Sequence, residues 1–326
     1  MYLARSPLRI SIGGGGTDLP SYYERFGSSF VSVAIRKYVY VNVVRPFEKG
    51  IYLKYSNSEF VRNLNDIKHG IIRESLRELD PFVESMEITT LADIPSGTGL
   101  GSSGCFGVAM IAALAKDLGI NLTRQEIAEL ACRIEMENLG LPTGKQDQYT
   151  SAFGGLNEYV IDVQGAVTVK PLVLPNHFLE KLEKALVLFF TGYSRSAASI
   201  LEDQDSKSKI SDSSMIDRLH HTQELGNNIK ASLLNGDLCS FGNLMNEHWE
   251  SKVKRSENIS NTTINEWYRR GLDNGAIGGK LVGAGGGGFL LFVAEDPERL
   301  KAEMNRVGLR EVPVEFDHHG LIVNPI

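Results

Sequence analysis

The stretch PSGTGLGSS, Pro95 to Ser103, decides how this chain is read. Glycines recur at every second position, Gly97, Gly99 and Gly101, and the stretch ends in two hydroxyls, Ser102 and Ser103, where an apolar segment begins. Glycine tolerates positive φ and lets the main chain come close to an anion, so successive N–H groups converge on phosphate oxygens. The following segment, GCFGVAMIAALAKDLG, carries Phe106, Met110, Ile111, Leu114 and Leu118 at helical spacing and stops at Gly119. A buried helix there aims the positive end of its dipole and its orphan N–H groups at the same phosphate. Taken alone, the stretch also fits a glycine-rich turn capped by serine. It lacks the GK[ST] ending of a Walker A loop and the GxGxxG spacing of a dinucleotide-binding loop.

Two more glycine clusters frame it: RISIGGGGTDLP, Arg9 to Pro20, and KLVGAGGGGF, Lys280 to Phe289. In this order and at these separations the three clusters resemble the motifs of the GHMP kinases, the superfamily of galactokinase, homoserine kinase, mevalonate kinase and phosphomevalonate kinase. The resemblance covers nearly the whole chain. It implies an α+β fold, with an N-terminal domain like ribosomal protein S5 domain 2, a ferredoxin-like C-terminal domain, and an active site between them. It also implies ATP and Mg²⁺ as ligands, with Pro95, Ser96, Gly97, Thr98, Gly99, Leu100, Gly101, Ser102 and Ser103 around the nucleotide.

Composition narrows the partners. With 326 residues, 42% of them hydrophobic, the chain can bury a large core as one large or two ordinary domains. A formal charge of -6, with no Lys/Arg run and no aromatic-basic interleaving, argues against nucleic acid, so any bound anion is held locally. The three cysteines, Cys105, Cys132 and Cys239, have no CxxC spacing and read as reduced, buried thiols of a cytoplasmic protein. No signal-peptide pattern opens the sequence, and no apolar run reaches the roughly 18 residues a membrane span requires. Small molecules are the expected partners, and a homodimer stays open.

Residues 6 to 12, 29 to 35 and 38 to 45 read as strands, the last two as a hairpin around Arg36-Lys37. Thr123 with Glu126 forms a capping box that opens a helix ended by Gly140 and Pro142. Pro171, Pro175 and Asn176 mark the boundary between an ATP-binding unit over 1–175 and a second unit over 176–326, which starts with the buried strand ALVLFFTG. The polar stretch from Leu201 to Ser213 reads as an exposed connection, with a lid as one role for it. Helices near 214 to 234, 237 to 254 and 260 to 273 precede four strands, a segregation that favours α+β over a doubly wound sheet.

Phosphoryl transfer needs an in-line acceptor and neutralised charge more than covalent help. Asp147, in GKQDQY, matches the carboxylate that faces the sugar hydroxyl in galactokinase-like members, which implies that it orients the hydroxyl and accepts its proton. Arg9 matches the cation beside that carboxylate and would stabilise charge on the γ-phosphate. Glu135, twelve residues before Asp147, matches the Mg²⁺ carboxylate, with Glu137 as its rival; Ser103 is favoured over Ser102 as the hydroxyl ligand. Gly14, Gly15, Gly16, Thr17 and Asp18 match the sugar-binding segment after the first cluster. The third cluster, with Gly285 and Gly286, is implied to form a tight loop whose backbone approaches substrate or phosphate and bridges the domains, while Lys280 is either a ligand or a strand residue. Tyr55, Ser56 and Asn57 are implied at the adenine.

GGGGTDLPSYY departs from the GEHTDY type of galactokinase. Together with DIPSGTGLGSSG, GKQDQY and TGYSRSAASIL, it is most similar to the GHMP kinases that act on D-glycero-α-D-manno-heptose 7-phosphate in bacterial GDP-heptose synthesis. An acceptor with a 7-phosphate requires a second anion site, for which Arg195 between Ser194 and Ser196 is the candidate, the alternative being a serine helix cap with a solvated arginine; Lys145 is a further contact for phosphate or sugar. An L-fucokinase-like enzyme and a sugar-binding regulator without turnover are the alternatives.

Overall fold

The computed structural model describes residues 1–192, 202, 204–206, 208, 213–254 and 259–326. Two strands form the spine of its first sheet, β1 (Tyr2–Gly13) and the seventeen-residue β2 (Ser28–Val44). Around them lie β3 (Gly50–Lys54), β4 (Ser58–Val61), β5 (Ser85–Ala92), β6 (Leu156–Ile161), β7 (Val167–Pro171) and the C-terminal β12 (Ile322–Pro325). The order is β12-β1-β2-β5-β3-β4, with β6 paired to β2 and β7 to β6. The last strand of the chain thus returns to the first.

The second sheet holds β8 (Leu186–Phe190), β9 (Ala276–Leu281), β10 (Phe289–Ala294) and β11 (Arg310–Val312) in the antiparallel order β11-β8-β10-β9. This is the split βαββαβ arrangement of a ferredoxin-like unit. The segregated helices and mixed sheets are the α+β fold that the glycine clusters implied.

The segments flanking Arg36-Lys37 form one strand and not a hairpin. Neither residue readily supplies the positive φ of a two-residue hairpin turn. Pro7 on β1 has no N–H to donate, and the register shifts between Pro7 and Leu8, leaving Arg36 and Lys37 as a bulge. There β2 exchanges β6 for β5 as its second partner.

Helix α1 (Pro20–Phe26) follows the first glycine cluster, and α2 (Gly70–Leu79) precedes β5. Helix α3 (Ser102–Asp117) is buried almost all round, which explains its unbroken run of small and apolar residues. The expected capping box opens α4 (Arg124–Arg133), which runs into a π-helical turn, Ile134–Asn138. Helix α5 (Gln146–Phe153) follows the GKQ segment.

The second half opens on a helix, α6 (Asn176–Ala185), and only then reaches the buried strand; Phe178, Leu182 and Ala185 supply an apolar face at helical spacing. Helices α7 (Ser213–Leu234), α8 (Leu238–Val253) and α9 (Thr262–Asp273) precede β9, and α10 (Pro297–Arg306) joins β10 to β11. Cys105 and Cys132 are buried thiols, but Cys239, in the first turn of α8, is exposed, contrary to the sequence reading. Among the described residues no helix is long and apolar enough to cross a membrane.

Helix α7 packs on the first glycine cluster at backbone distance. A Cβ on Gly226 would lie 2.8 Å from Gly14 N and 2.9 Å from Gly14 Cα. Alanine would gain about 1 kcal/mol of helix propensity, but the clash is with backbone that cannot swing aside. Gly226→Ala is therefore expected to lower stability by about 1–3 kcal/mol in urea unfolding. A gain in stability would show that the two elements part easily.

Candidate active site

The second cluster adopts the conformation its glycines allow. Gly97, Gly99 and Gly101 have φ of 73°, 87° and 80°, alternating with L-residues to form a concave run of N–H groups. Gly101 sits at the N-cap of α3 without a side-chain cap, so the first turn of that helix opens onto the loop. Thr98 and Leu100 are buried and anchor the loop from beneath, while Pro95 and Ser96 lie exposed at its outer edge. The third cluster presses on it: a Cβ on Gly99 would meet Val282 O at 2.5 Å, and one on Gly288 would meet Thr98 O at 2.0 Å. Glycine at these positions lets two backbones touch.

A cavity of about 400 Å³ opens beside this contact, lined by Gly97, Gly99, Gly101, Ser102 and Ser103 of the loop and by residues of both halves of the chain. Arg9 on β1 reaches it from below. Its Nε donates to Asp147 Oδ1 at 2.7 Å, Nη2 pairs with the same oxygen at 2.6 Å, and Nη1 donates to Gly99 O at 2.6 Å. A Cβ on Gly101 would lie 3.0 Å from Asp147 Cγ and 3.1 Å from Arg9 Cγ; one on Gly104 would lie 2.7 Å from Asp147 Cβ. The glycines thus vacate the space that the Arg9–Asp147 pair fills.

Glu135 points inward from the π turn and is 2% exposed. Its carboxylate accepts from Ser103 Oγ and, at 2.5 Å, from Gln148 Nε2. Burial raises its pKa from 4.5 to about 7; the two hydrogen bonds oppose the rise and the nearby Asp147 charge adds to it. Ser102 Oγ is buried with no hydrogen-bond partner among the described residues. Glu137, the rival, is exposed.

Asp18 lines the cavity from the first cluster. Its oxygens accept from Gly16 N at 3.0 Å and Gln146 N at 3.1 Å, and burial raises its pKa. Gly15 and Gly16 also line it, whereas Gly14 packs under Ser29 and Phe30, and Thr17 bonds Gly14 O and Ser28 beneath the surface. Lys145, Gly285 and Gly286, also expected at the substrate, lie outside the lining. Lys145 donates to Gly165 O at 2.6 Å and pairs with Glu129 at 3.2 Å, outside the lining. Gly285 and Gly286 face Ile259, whose carbonyl accepts from Gly286 N at 2.8 Å, while their neighbours Gly283 and Ala284 reach the cavity. Arg195, with Ser194, Ser196 and most of the expected lid, lies outside the described residues. Tyr55 meets His69 edge-on at 4.8 Å, and His69 lies 5.1 Å from Phe106 on α3.

The sequence reading missed Ser11, Gln146, Gln204, His248 and Lys252, all of which line the cavity. The signal for the last two was present: they lie four apart in an apolar stripe with Phe241, Met245 and Trp249. Lys280 is both strand residue and wall, donating to Ile12 O at 2.7 Å.

The GHMP kinases N terminal domain family matches residues 66–155, and the GHMP kinases C terminal family matches residues 229–309. D-glycero-alpha-D-manno-heptose 7-phosphate kinase of Campylobacter jejuni is 32% identical over 306 residues, with 90% of each chain covered. L-fucokinase/L-fucose-1-P guanylyltransferase of Bacteroides fragilis is 27% identical over 90% of this chain and 34% of its own length. The crystal structure of a D-glycero-D-manno-heptose 1-phosphate kinase from Bacteroides thetaiotaomicron matches with a TM-score of 0.82 at 26% identity, covering 100% of this chain and 99% of that one. This chain belongs to the GHMP kinases. It is an ATP-dependent phosphotransferase with an alcohol acceptor, of the sugar-kinase kind.

Between pH 4.5 and about 7 folded Glu135 keeps a proton that the unfolded chain has released, so stability falls as pH rises through that window. Glu135→Gln cannot titrate and escapes this loss. In thermal unfolding with EDTA, the variant's advantage over wild type is expected to grow from pH 5 to pH 8, by an amount on the order of 3 kcal/mol. A difference that stays flat with pH would mean that Glu135 titrates at its ordinary value.

Proposed function

We propose that the enzyme transfers the γ-phosphoryl group of ATP to the anomeric hydroxyl of D-glycero-D-manno-heptose 7-phosphate, giving the 1,7-bisphosphate. The observation that carries this reading is Asp147, held by Arg9 in the cavity wall beside the N-terminus of α3. The 32% identity to the Campylobacter jejuni heptose 7-phosphate kinase supports the choice of sugar. A 1,7-bisphosphate suits a place early in the synthesis of a nucleotide-activated heptose.

Asp147 orients the C1 hydroxyl and takes its proton as the oxygen attacks. The O–P bond forms, the bond from the γ-phosphorus to the bridging oxygen breaks, and ADP leaves. Arg9 stabilises the negative charge that spreads over the transferred group. The N–H groups of Gly97 to Ser103 and the α3 dipole hold the phosphates in place. Asp18 accepts from sugar hydroxyls, and Gln146 Oε1, buried without a hydrogen-bond partner among the described residues, is a second acceptor for them.

Ser103 and Glu135 would hold Mg²⁺, which when bound neutralises charge on the β- and γ-phosphates. Their chemistry fits: both are hard oxygen donors, and the buried Ser102 hydroxyl beside them is unsatisfied. Among the described residues no three His, Cys, Asp or Glu side chains converge, which suits a cation that takes its remaining ligands from phosphate and water. A second reading, an anomeric kinase for an unphosphorylated sugar, is favoured by the 27% identity to the Bacteroides fragilis fucokinase over 90% of this chain.

ADP release is to be measured with ATP, Mg²⁺ and four acceptors: heptose 7-phosphate, its dephosphorylated form, L-fucose and D-galactose. Preference for the first is expected, and turnover of L-fucose alone would replace the proposal with the second reading. Asp147→Asn keeps a hydrogen-bond partner for Arg9 and is expected to bind ATP while losing about 10² to 10⁴ in kcat. Turnover like wild type in that variant would remove Asp147 from the chemistry.

A further inference from the structure

Lys145 turns its ammonium group away from the cavity, and the place it goes bears on Asp147. It stands at the N-cap of α5, with Tyr149 one turn further on, and the two are 8% and 0% exposed. Both end on one carboxylate of α4: Lys145 Nζ pairs with Glu129 Oε2 at 3.2 Å, and Tyr149 Oη donates to Glu129 Oε1. Each arm has a second anchor. Lys145 Nζ donates to Gly165 O at 2.6 Å, in the turn between β6 and β7, and Tyr149 Oη accepts from Gln125 Nε2 at 2.9 Å. Glu129 thus closes a clamp across a single turn of α5.

Residues at i and i+4 share a helix face, whereas i+2 lies about 200° round the axis. Asp147 is two residues from each arm, so it stands on the opposite face, where Arg9 bonds it and where a Cβ on Gly101 or Gly104 would strike it. One turn of helix is therefore held from behind by Glu129 and from the front by Arg9. Together they set its rotation about its own axis. A helix with its side chains is about 10–12 Å across, so a rotation of roughly 10° moves a side-chain tip by on the order of 1 Å. Misplacement of that size in a reacting group can cost about 10²-fold in rate.

We propose that Lys145, Glu129 and Tyr149 are positioning residues for phosphoryl transfer, a clamp that fixes the rotation of α5 and with it the aim of Asp147 at the acceptor hydroxyl. This rests on the reading of Asp147 as the group that takes the acceptor's proton. Net stability is a weak account of the contact, because desolvation of the buried ammonium offsets its attraction to a carboxylate that is itself 39% exposed. What the clamp supplies is geometry. It also separates two roles for Lys145: a direct ligand would govern how tightly the acceptor binds, whereas a clamp governs how fast bound acceptor reacts.

Single-turnover transfer from ATP, with enzyme in excess and with whichever acceptor it phosphorylates, reads the chemical step directly. Thermal unfolding confirms that each variant is folded. Lys145→Met is expected to slow transfer about tenfold while leaving the half-saturating acceptor concentration within about twofold of wild type. Tyr149→Phe keeps the buried ring, cuts only the hydroxyl arm, and is expected to slow transfer about threefold. Both changes are then repeated in Asp147→Asn, where no carboxylate is left to aim, and each is expected to cost less than about twofold there. Equal losses in the two backgrounds, or a raised half-saturating concentration at unchanged rate, overturn the clamp. Should Lys145→Met not fold, transfer like wild type in Tyr149→Phe overturns it as well. Asp147→Asn alone tests the underlying reading: if it transfers like wild type, the role of Asp147 falls and the clamp with it, whereas a slow Asp147→Asn with equal losses in both backgrounds removes the clamp only.

Discussion

The contact between Arg9 and Asp147 is the constraint on which the rest of the site depends. Arg9 is a strand residue whose own N–H donates to Leu100 O at 3.0 Å, so β1 is tied to the Gly97–Ser103 loop by main chain and side chain at once. Asp147 stands on the first turn of α5, and that helix can approach only because Gly101 and Gly104 leave room for the carboxylate. Removing one partner from a buried ion pair generally costs about 3–5 kcal/mol, while replacing both with apolar groups is often neutral. The pair is therefore poor as a source of stability; in the proposed function its two charges act on a phosphoryl group.

The glycine clusters have divided tasks. The second cluster offers N–H groups; the third supplies little side-chain chemistry and serves as the surface against which the second is pressed. Gly99 against Val282 and Gly288 against Thr98 are backbone-to-backbone contacts that a single methyl group would spoil. The Gly97–Ser103 loop is thus braced by the second half of the chain, and Lys252, bonded to Gly283 O, braces the brace. The first cluster does a third job: Gly13 and Gly14 let α7 pack on β1, while Gly15 and Gly16 face the cavity.

Much of this was legible because it is local. A run of alternating glycines, a capping box and an apolar stripe each specify conformation within one element, so α3, α4 and the turn-forming conformation of the Gly97–Gly101 run were read correctly. The Arg36-Lys37 bulge was not, because the residue that forces it, Pro7, lies on the partner strand. Lys145 misled for a related reason: its neighbours in sequence line the cavity, but its own side chain turns away to Glu129 and Gly165 O. Lys252 and His248 were hidden because a helix face that looks like core becomes a cavity wall only when β9 and the third cluster are placed against it. What escaped the sequence was set by pairing and packing between distant segments.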